Sequence, residues 1–371
     1  MDSLTHIVVF VLGLGIVLAT LSSAISTFVL PRSARSQLNR LVFGLLRRCI
    51  EFVFRFVKSY DRRDAIMAYY APVALMTLVP TWYVLISLGY SFMYWSLRAG
   101  DYFFDFRLSG SSLLTLGFTA PEGYFITALV FSEAMLGLIM VGLLIAYLPT
   151  MYSAFARREQ AVNLLEVRAG NPPNPYDMLS RFNRIQGLDK LGDYWKSWEI
   201  WFADVEESHT TLPALVFFRS PRPENSWITS AGAILDTAAL TLSSVNIPYE
   251  SSAALCIRAG FLALRKIADY FDITYPVSPT YPTTPITVTR EEYDEVIAKL
   301  EAAGIPIVAD REKAWLDFAG WRVNYDRVLL VLCTLVMAPQ TPWSSDRGSK
   351  FRNPPLFFKK KKKHHHHHHH Y

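Results

Sequence analysis

Residues 101–123 read Asp101-Tyr-Phe-Phe-Asp105-Phe-Arg107-Leu-Ser-Gly110-Ser-Ser-Leu-Leu-Thr115-Leu-Gly117-Phe-Thr-Ala120-Pro-Glu-Gly123, and they lie between two long apolar runs. The segment is too long for a tight turn and too apolar at its centre for a solvated loop. A short helix over Leu108–Leu114, followed by an extended Thr115–Thr119, would dip into a membrane and return. Irregular backbone at that depth is stable only where it is buried in protein or lines a watery cavity.

The flanking runs are Ala65 to Leu97 and Phe125 to Tyr152, and an uncharged run, Ile7 to Leu30, precedes them. Each is long enough to cross a hydrocarbon core of roughly 30 Å at about 1.5 Å per helical residue. The chain starts Met-Asp-Ser, with no positive n-region, so the first run is expected to be an uncleaved anchor. Pro72 and Pro80 are expected to kink the second crossing, and Leu148-Pro149 to weaken the end of the third. Arg32, Arg35, Arg40, Arg47, Arg48, Arg55, Lys58, Arg62 and Arg63 lie between the first two runs, and Arg157 and Arg158 follow the third. Positive charge beside membrane spans stays in the cytoplasm, which places the N-terminus outside. Tyr90, Tyr94 and Trp95 then suit an outer aromatic belt, with Trp82 deeper in the span. Leu41, Val42, Leu45, Leu46, Ile50, Phe52, Val53, Phe54 and Phe56 interleave with the arginines, as in a helix lying on the inner membrane surface or one packed on a cytoplasmic domain.

Ser-Leu-Leu-Thr-Leu-Gly-Phe, residues 112–118, resembles the pore signature of the potassium-channel family, Thr-Val-Gly-Tyr-Gly after a short pore helix. Thr115 matches the threonine, Leu116 the valine, Gly117 the first glycine and Phe118 the tyrosine, and the helix–loop–helix setting of residues 65–152 matches as well. The resemblance covers about a quarter of the chain. It implies four chains around one axis, with backbone oxygens at Thr115, Leu116 and Gly117 replacing the hydration shell of a monovalent cation. Thr119 stands where the family has its second glycine, and Ala120 where an acidic residue usually follows. Threonine adopts positive φ reluctantly, so the outermost ion site is expected to be altered.

Glu133 is the one ionisable residue within the third run. A carboxylate at bilayer depth costs at least about 2.5 kcal/mol, so it faces a partner or a wet cavity. Three roles fit: attracting cations in a vestibule, hydrogen-bonding behind the filter, or a salt bridge to a neighbouring element. Gly137 and Gly142 occupy the inner-helix region, as hinges or as points of close packing. No Arg-rich repeat at three-residue spacing lies within a crossing, which argues against voltage sensing.

Residues 157–346 have the composition of an ordinary soluble domain, here expected to be cytoplasmic and all-α, and Lys359–Lys363 followed by His364–His370 reads as a tag. Those five lysines account for the whole net charge of +5, so the balance gives no reason to expect nucleic acid. Cys49, Cys256 and Cys333 are widely spaced among apolar neighbours, as structural thiols in a reducing compartment are. After a linker, Gly170–Pro175, helices are expected over Asp177–Gln186, Leu188–Glu206, Ser226–Leu242, Ser251–Phe271, from the capping box Thr289–Glu292 to Ala303, and over Asp310–Met337. Trp195, Trp198, Trp201 and Phe202 form a helix face that is core or a ligand cage. Pro276, Pro279, Pro282 and Pro285 recur every third residue, as in a polyproline II strut. Arg322 and Asp326 are an i,i+4 pair; if buried beside Arg258, Arg265, Asp236 or Asp269, these groups must pair fully. Ser208 or Thr210 is expected to cap a helix, since no nucleophile elbow, phosphate loop or dinucleotide fingerprint accompanies Ser208-His209.

The expectation is therefore an all-α membrane protein: three transmembrane helices, a re-entrant pore loop between the second and third, and an all-α cytoplasmic domain. The divisions are 1–64 (anchor and basic interfacial helix), 65–158 (pore), 159–346 (cytoplasmic domain) and 347–371 (tail). The function this implies is a homotetrameric cation channel of the inner cell membrane. It would pass potassium or other monovalent cations through Thr115, Leu116, Gly117, Phe118 and Thr119, in contact with lipid and without cofactor or catalysis. The alternative is a non-conducting membrane-anchored sensor or scaffold whose cytoplasmic half binds a partner.

Overall fold

The computed structural model describes residues 3–28, 37–57 and 59–347; Arg32, Arg35, Lys58, the end of the first run and the tail beyond 347 lie outside the described residues. Thirteen α-helices are present among the described residues: α1 Ser3–Phe28, α2 Gln37–Phe54, α3 Tyr60–Ala68, α4 Tyr70–Ser96, α5 Tyr102–Leu113, α6 Tyr124–Ala169, α7 Pro175–Arg184, α8 Leu191–Thr211, α9 Trp227–Ser243, α10 Ser251–Tyr270, α11 Arg290–Ala302, α12 Arg311–Arg322 and α13 Asp326–Val336. No strand is present among them, only an isolated bridge between Val245 and Ile307. Three stretches, Leu4–Phe28, Tyr60–Ser96 and Tyr124–Ala169, are long and apolar enough to cross a membrane.

α1 and α4 run antiparallel. His6 Nδ1 lies 3.0 Å from the Ser96 carbonyl, and near the other end Trp82 Nε1 donates to Ser23 Oγ (3.2 Å). Between these contacts the two backbones nearly touch: a β-carbon on Gly89 would lie 2.8 Å from the Gly13 carbonyl, and one on Gly13 would collide with the carbonyl of Gly89. α5 lies against α4 and α6, so the start of α1, the end of α4 and α5 share one end of the apolar bundle. Leu78, Trp82, Ile86, Tyr90, Met93, Tyr94, Leu108, Leu113 and Met140 form its core. Tyr90 and Tyr94 are thus buried, contrary to the belt expected of them, because each hydroxyl finds a partner on α6.

Several boundaries differ from expectation for identifiable reasons. The second apolar run is divided at Tyr69, because Pro72 has no N–H for the Ala68 carbonyl. The third runs on through Pro149 to Ala169, held on either side of the proline by Tyr147, Met151 and Ala154 against Leu212, Ala214 and Leu215. The last expected helix is two, α12 and α13, since the Asn324 side chain donates to the carbonyls of Gly320 and Trp321 (3.0 and 3.3 Å) that the next turn would use. The proline stretch is not a strut: Thr284 N–H donates to the Thr280 carbonyl (2.8 Å) and turns the chain. Ser208 and Thr210 lie in the last turns of α8 and donate to the carbonyls of Asp204 and Glu206, so neither caps a following helix.

α7–α13 pack as one body around Trp195, Phe202, Trp227, Leu235, Phe318 and Leu329, and the tryptophan face of α8 is core. α2 joins this body through Ile50 and Phe54, with Arg47 donating to the Leu335 carbonyl (2.9 Å), yet it leaves Leu41, Leu45, Phe52 and Val53 exposed. The packed face matches the reading of a helix docked on the helical domain, and the other face is exposed and apolar. All three cysteines are free, Cys256 and Cys333 buried but Cys49 exposed.

The body grips α6 through Arg158, which is fully buried. Its Nη1 donates to the Leu215 carbonyl (2.8 Å) and faces His209 Nε2 (3.1 Å), its Nη2 donates to the Phe218 carbonyl (2.8 Å), and Nε donates to Glu159 (2.9 Å). Ser208 Oγ donates to the Asp204 carbonyl and so accepts from His209 Nδ1 (3.0 Å), which leaves the Nε2 lone pair for Arg158 and the ring neutral. Burial first, and then the Arg158 charge, hold His209 well below its usual pKa. The unfolded chain takes up a proton here near pH 6.5 that the folded chain refuses. This contribution to stability is intact above about pH 6.5 and falls by about 1.4 kcal/mol per pH unit below it, until the folded-state pKa is reached. Denaturation midpoints measured between pH 5 and 7 should show that slope in the parent and lose about one proton of it in His209→Gln; an unchanged slope would refute the assignment.

Candidate functional site

α5 starts earlier than expected, at Tyr102, because the Asp101 carboxylate accepts from Phe104 N–H (2.8 Å) and caps it. Its buried face carries Asp105, Ser109 and Ser112. Ser109 Oγ lies 2.5 Å from Glu133 Oε1 and 2.9 Å from Ser87 Oγ, and the Tyr94 hydroxyl donates to Glu133 Oε2 (2.7 Å). Glu133 is 0% exposed. It faces no vestibule and forms no ion pair among the described residues; hydroxyls satisfy it, and it ties α4, α5 and α6 into one unit. Its hydrogen bonds run to α4 and to the middle of α5, and among the described residues none reaches residues 114–123.

Gly137 is a packing point. A β-carbon there would collide with the Leu113 carbonyl oxygen at the end of α5, and the Tyr83 hydroxyl donates to the Gly137 carbonyl (2.9 Å). Gly142, one and a half turns on, is exposed and a β-carbon there would meet nothing. α6 continues as helix through both positions.

The end of α5 departs from the extended Thr115–Thr119 expected. Leu116 N–H donates to the Ser111 carbonyl (2.8 Å) and Thr115 N–H to that of Ser112 (3.0 Å), the paired bonds that end a helix on one left-handed residue. That residue is Thr115, at φ 54°, and Gly117 follows at φ 70°. Thr119, at the family's second glycine, keeps negative φ, as its β-carbon requires. Gly117 N–H also donates to the Ser111 carbonyl (3.2 Å), and Thr119 N–H to Ser111 Oγ (3.1 Å). Three amide donors thus converge on Ser111.

A trans peptide sets each C=O antiparallel to the N–H of the same unit. With the N–H groups of Leu116, Gly117 and Thr119 aimed at Ser111, the carbonyls of Thr115, Leu116 and Phe118 point away from it. Among the described residues none of these three carbonyls receives a hydrogen bond. Leu114, Leu116 and Phe118 are more than half exposed among the described residues, an apolar strip.

Comparison with known proteins returns no match: no family model, no curated protein and no solved structure matches the chain.

Two parts of the site escaped the sequence reading. The serines at 109, 111 and 112 are a signal that could have been read, since three hydroxyls on a short apolar helix need acceptors. Arg107 had no signal at sequence level; its guanidinium lies over the Phe118 ring, 5.5 Å from the centroid. Asp105 is 0% exposed, and among the described residues neither carboxylate oxygen has a hydrogen-bond partner; the fold supplies no explanation for it.

Proposed function

We propose that this chain is one subunit of a tetrameric membrane channel for monovalent cations, with α4, α5, residues 114–123 and the first part of α6 as its pore unit. The observation that carries the reading is the outward set of Thr115, Leu116 and Phe118 carbonyls at the C-terminal end of a helix locked in place by Glu133 and Gly137. Carbonyl oxygens without donors are ligands suited to a partly dehydrated cation. The C-terminal end of α5 adjoins this segment and adds a partial negative charge beside it. One chain supplies one such strip, which cannot surround an ion, so several copies must share an axis. The exposed Leu114, Leu116 and Phe118, with the exposed apolar face of α6 (Phe131, Met135, Leu138, Val141), are the surface such copies would bury.

Orientation follows from charge. The Arg-rich α2 and the α7–α13 body lie at the end of the bundle opposite α5, and retention of positive charge in the cytoplasm places that end inside. The outward face of α2, Leu41, Leu45 and Phe52 edged by Arg48 and Arg55, then meets the inner leaflet of the cell membrane. Through Arg158 and residues 212–218 the cytoplasmic body is mechanically joined to α6, a route by which a cytoplasmic signal would move the pore-lining helix.

The test is ion flux. Proteoliposomes holding the purified protein and loaded with potassium should take up rubidium tracer along the potassium gradient, and native mass in mild detergent should give four copies of the 42.2 kDa chain. A monomer with no flux in any lipid composition would refute the proposal.

A further inference from the structure

Arg107 lies on the outward face of α5, on the other side of the helix from buried Asp105 and Ser109. Its guanidinium carbon is 5.5 Å from the Phe118 ring centroid and 5.8 Å from that of Phe103. The side chain is exposed, and among the described residues no carboxylate pairs with it. The chain therefore places an uncompensated positive charge in contact with the segment whose carbonyls face outward, and two aromatic faces fix where that charge sits.

We infer that Arg107 is a specificity-determining residue that makes the pore favour monovalent over divalent cations. This rests on the channel reading above: copies of residues 115–119 around one axis carry copies of Arg107 around the same axis. A ring of fixed charge at potential ψ scales the local concentration of an ion of valence z by exp(−zeψ/kT). The exclusion factor for a divalent cation is therefore the square of the factor for a monovalent one. A ring that costs a monovalent ion about threefold in entry costs a divalent ion about ninefold, a factor that multiplies whatever discrimination the carbonyls supply. Such exclusion weakens with salt, because the screening length falls from about 30 Å at 0.01 M to about 3 Å at 1 M.

Rubidium and strontium fluxes into proteoliposomes test this for the parent, Arg107→Gln and Arg107→Lys, at about 0.01 M and 1 M ionic strength set with impermeant ions. The expected result at low ionic strength is a rise in both fluxes for Arg107→Gln, the strontium rise being near the square of the rubidium rise. Arg107→Lys, which keeps the charge, should match the parent, and the differences should vanish near 1 M. Equal changes for the two ions, or changes that persist at 1 M, would overturn the inference and assign Arg107 a packing role on Phe118. Parent flux with an unchanged Arg107→Gln would overturn this inference alone. Absence of flux in the parent would overturn the channel reading itself.

Discussion

Arg322→Met is expected to destabilise the α7–α13 body by about 3–5 kcal/mol, the cost of leaving a buried partner charge uncompensated. Arg322 is 0% exposed; its Nε donates to Asp326 Oδ1 (2.7 Å), Nη1 to Asp236 Oδ1 (2.5 Å) and Nη2 to the Trp343 carbonyl (2.6 Å). Tyr325 donates to Asp236 (2.8 Å), and Thr287 donates to Asp326 through its amide and its hydroxyl. Burial alone would lower the Arg322 pKa, but Asp236 and Asp326 outweigh it and raise the value, so the guanidinium stays charged at any working pH. Removing it strands two carboxylates on α9 and α13. The double variant Arg322→Met with Asp236→Asn should cost less than the two single changes added together, because each removes the other's need for a partner. Denaturation followed by tryptophan fluorescence measures this. Additive single-variant effects would contradict the network.

Gly137→Val is expected to be the most damaging single change in the membrane-length bundle, whereas Gly142→Ala is expected to be neutral or mildly stabilising. At Gly137 any β-carbon meets the Leu113 carbonyl, part of the backbone at the end of α5, which no rotamer change can clear. Overpacking against backbone costs about 1–3 kcal/mol or more. Here the forced shift also moves the C-terminus of α5 and the strip beyond it, so flux should fall at least as far as stability. Gly142 has no neighbour at its β-position, and alanine is about 1 kcal/mol better than glycine inside a helix. Melting temperature and flux for the pair provide the check. Equal tolerance at both positions would show that α5 and α6 do not pack as described.

The helical class and the three long apolar helices were legible in the sequence because length and apolar continuity need no tertiary information. So was the capping box at Thr289 and Glu292, a local motif whose two bonds both form. The grouping of Glu133 with Ser109 and Tyr94 was not, because it depends on which faces of three helices meet. The Gly13–Gly89 crossing escaped for the same reason, being a pair 76 positions apart. Thr115 misled for a different reason. A four-residue match suggested extended backbone, whereas the local competition is decided by Ser111, whose carbonyl and hydroxyl collect three amides and end α5 with a left-handed residue. At Asn324 the same kind of local competition divided a helix that hydrophobic periodicity had made continuous.

The set of the Thr115, Leu116 and Phe118 carbonyls depends on Gly117, at φ 70° and with its N–H on the Ser111 carbonyl. Proline there fixes φ near −65° and removes the donor, so the strip must re-aim. A β-carbon at Gly117 would meet no described atom, so the stability cost is confined to the lost hydrogen bond, about 1 kcal/mol, and the local backbone change, and the assembly mass is read beside flux as the control. Rubidium uptake into proteoliposomes by the parent and by Gly117→Pro is therefore the most direct measurement. The account predicts uptake in the parent and its loss in the variant at equal assembly; uptake that survives the substitution would contradict it.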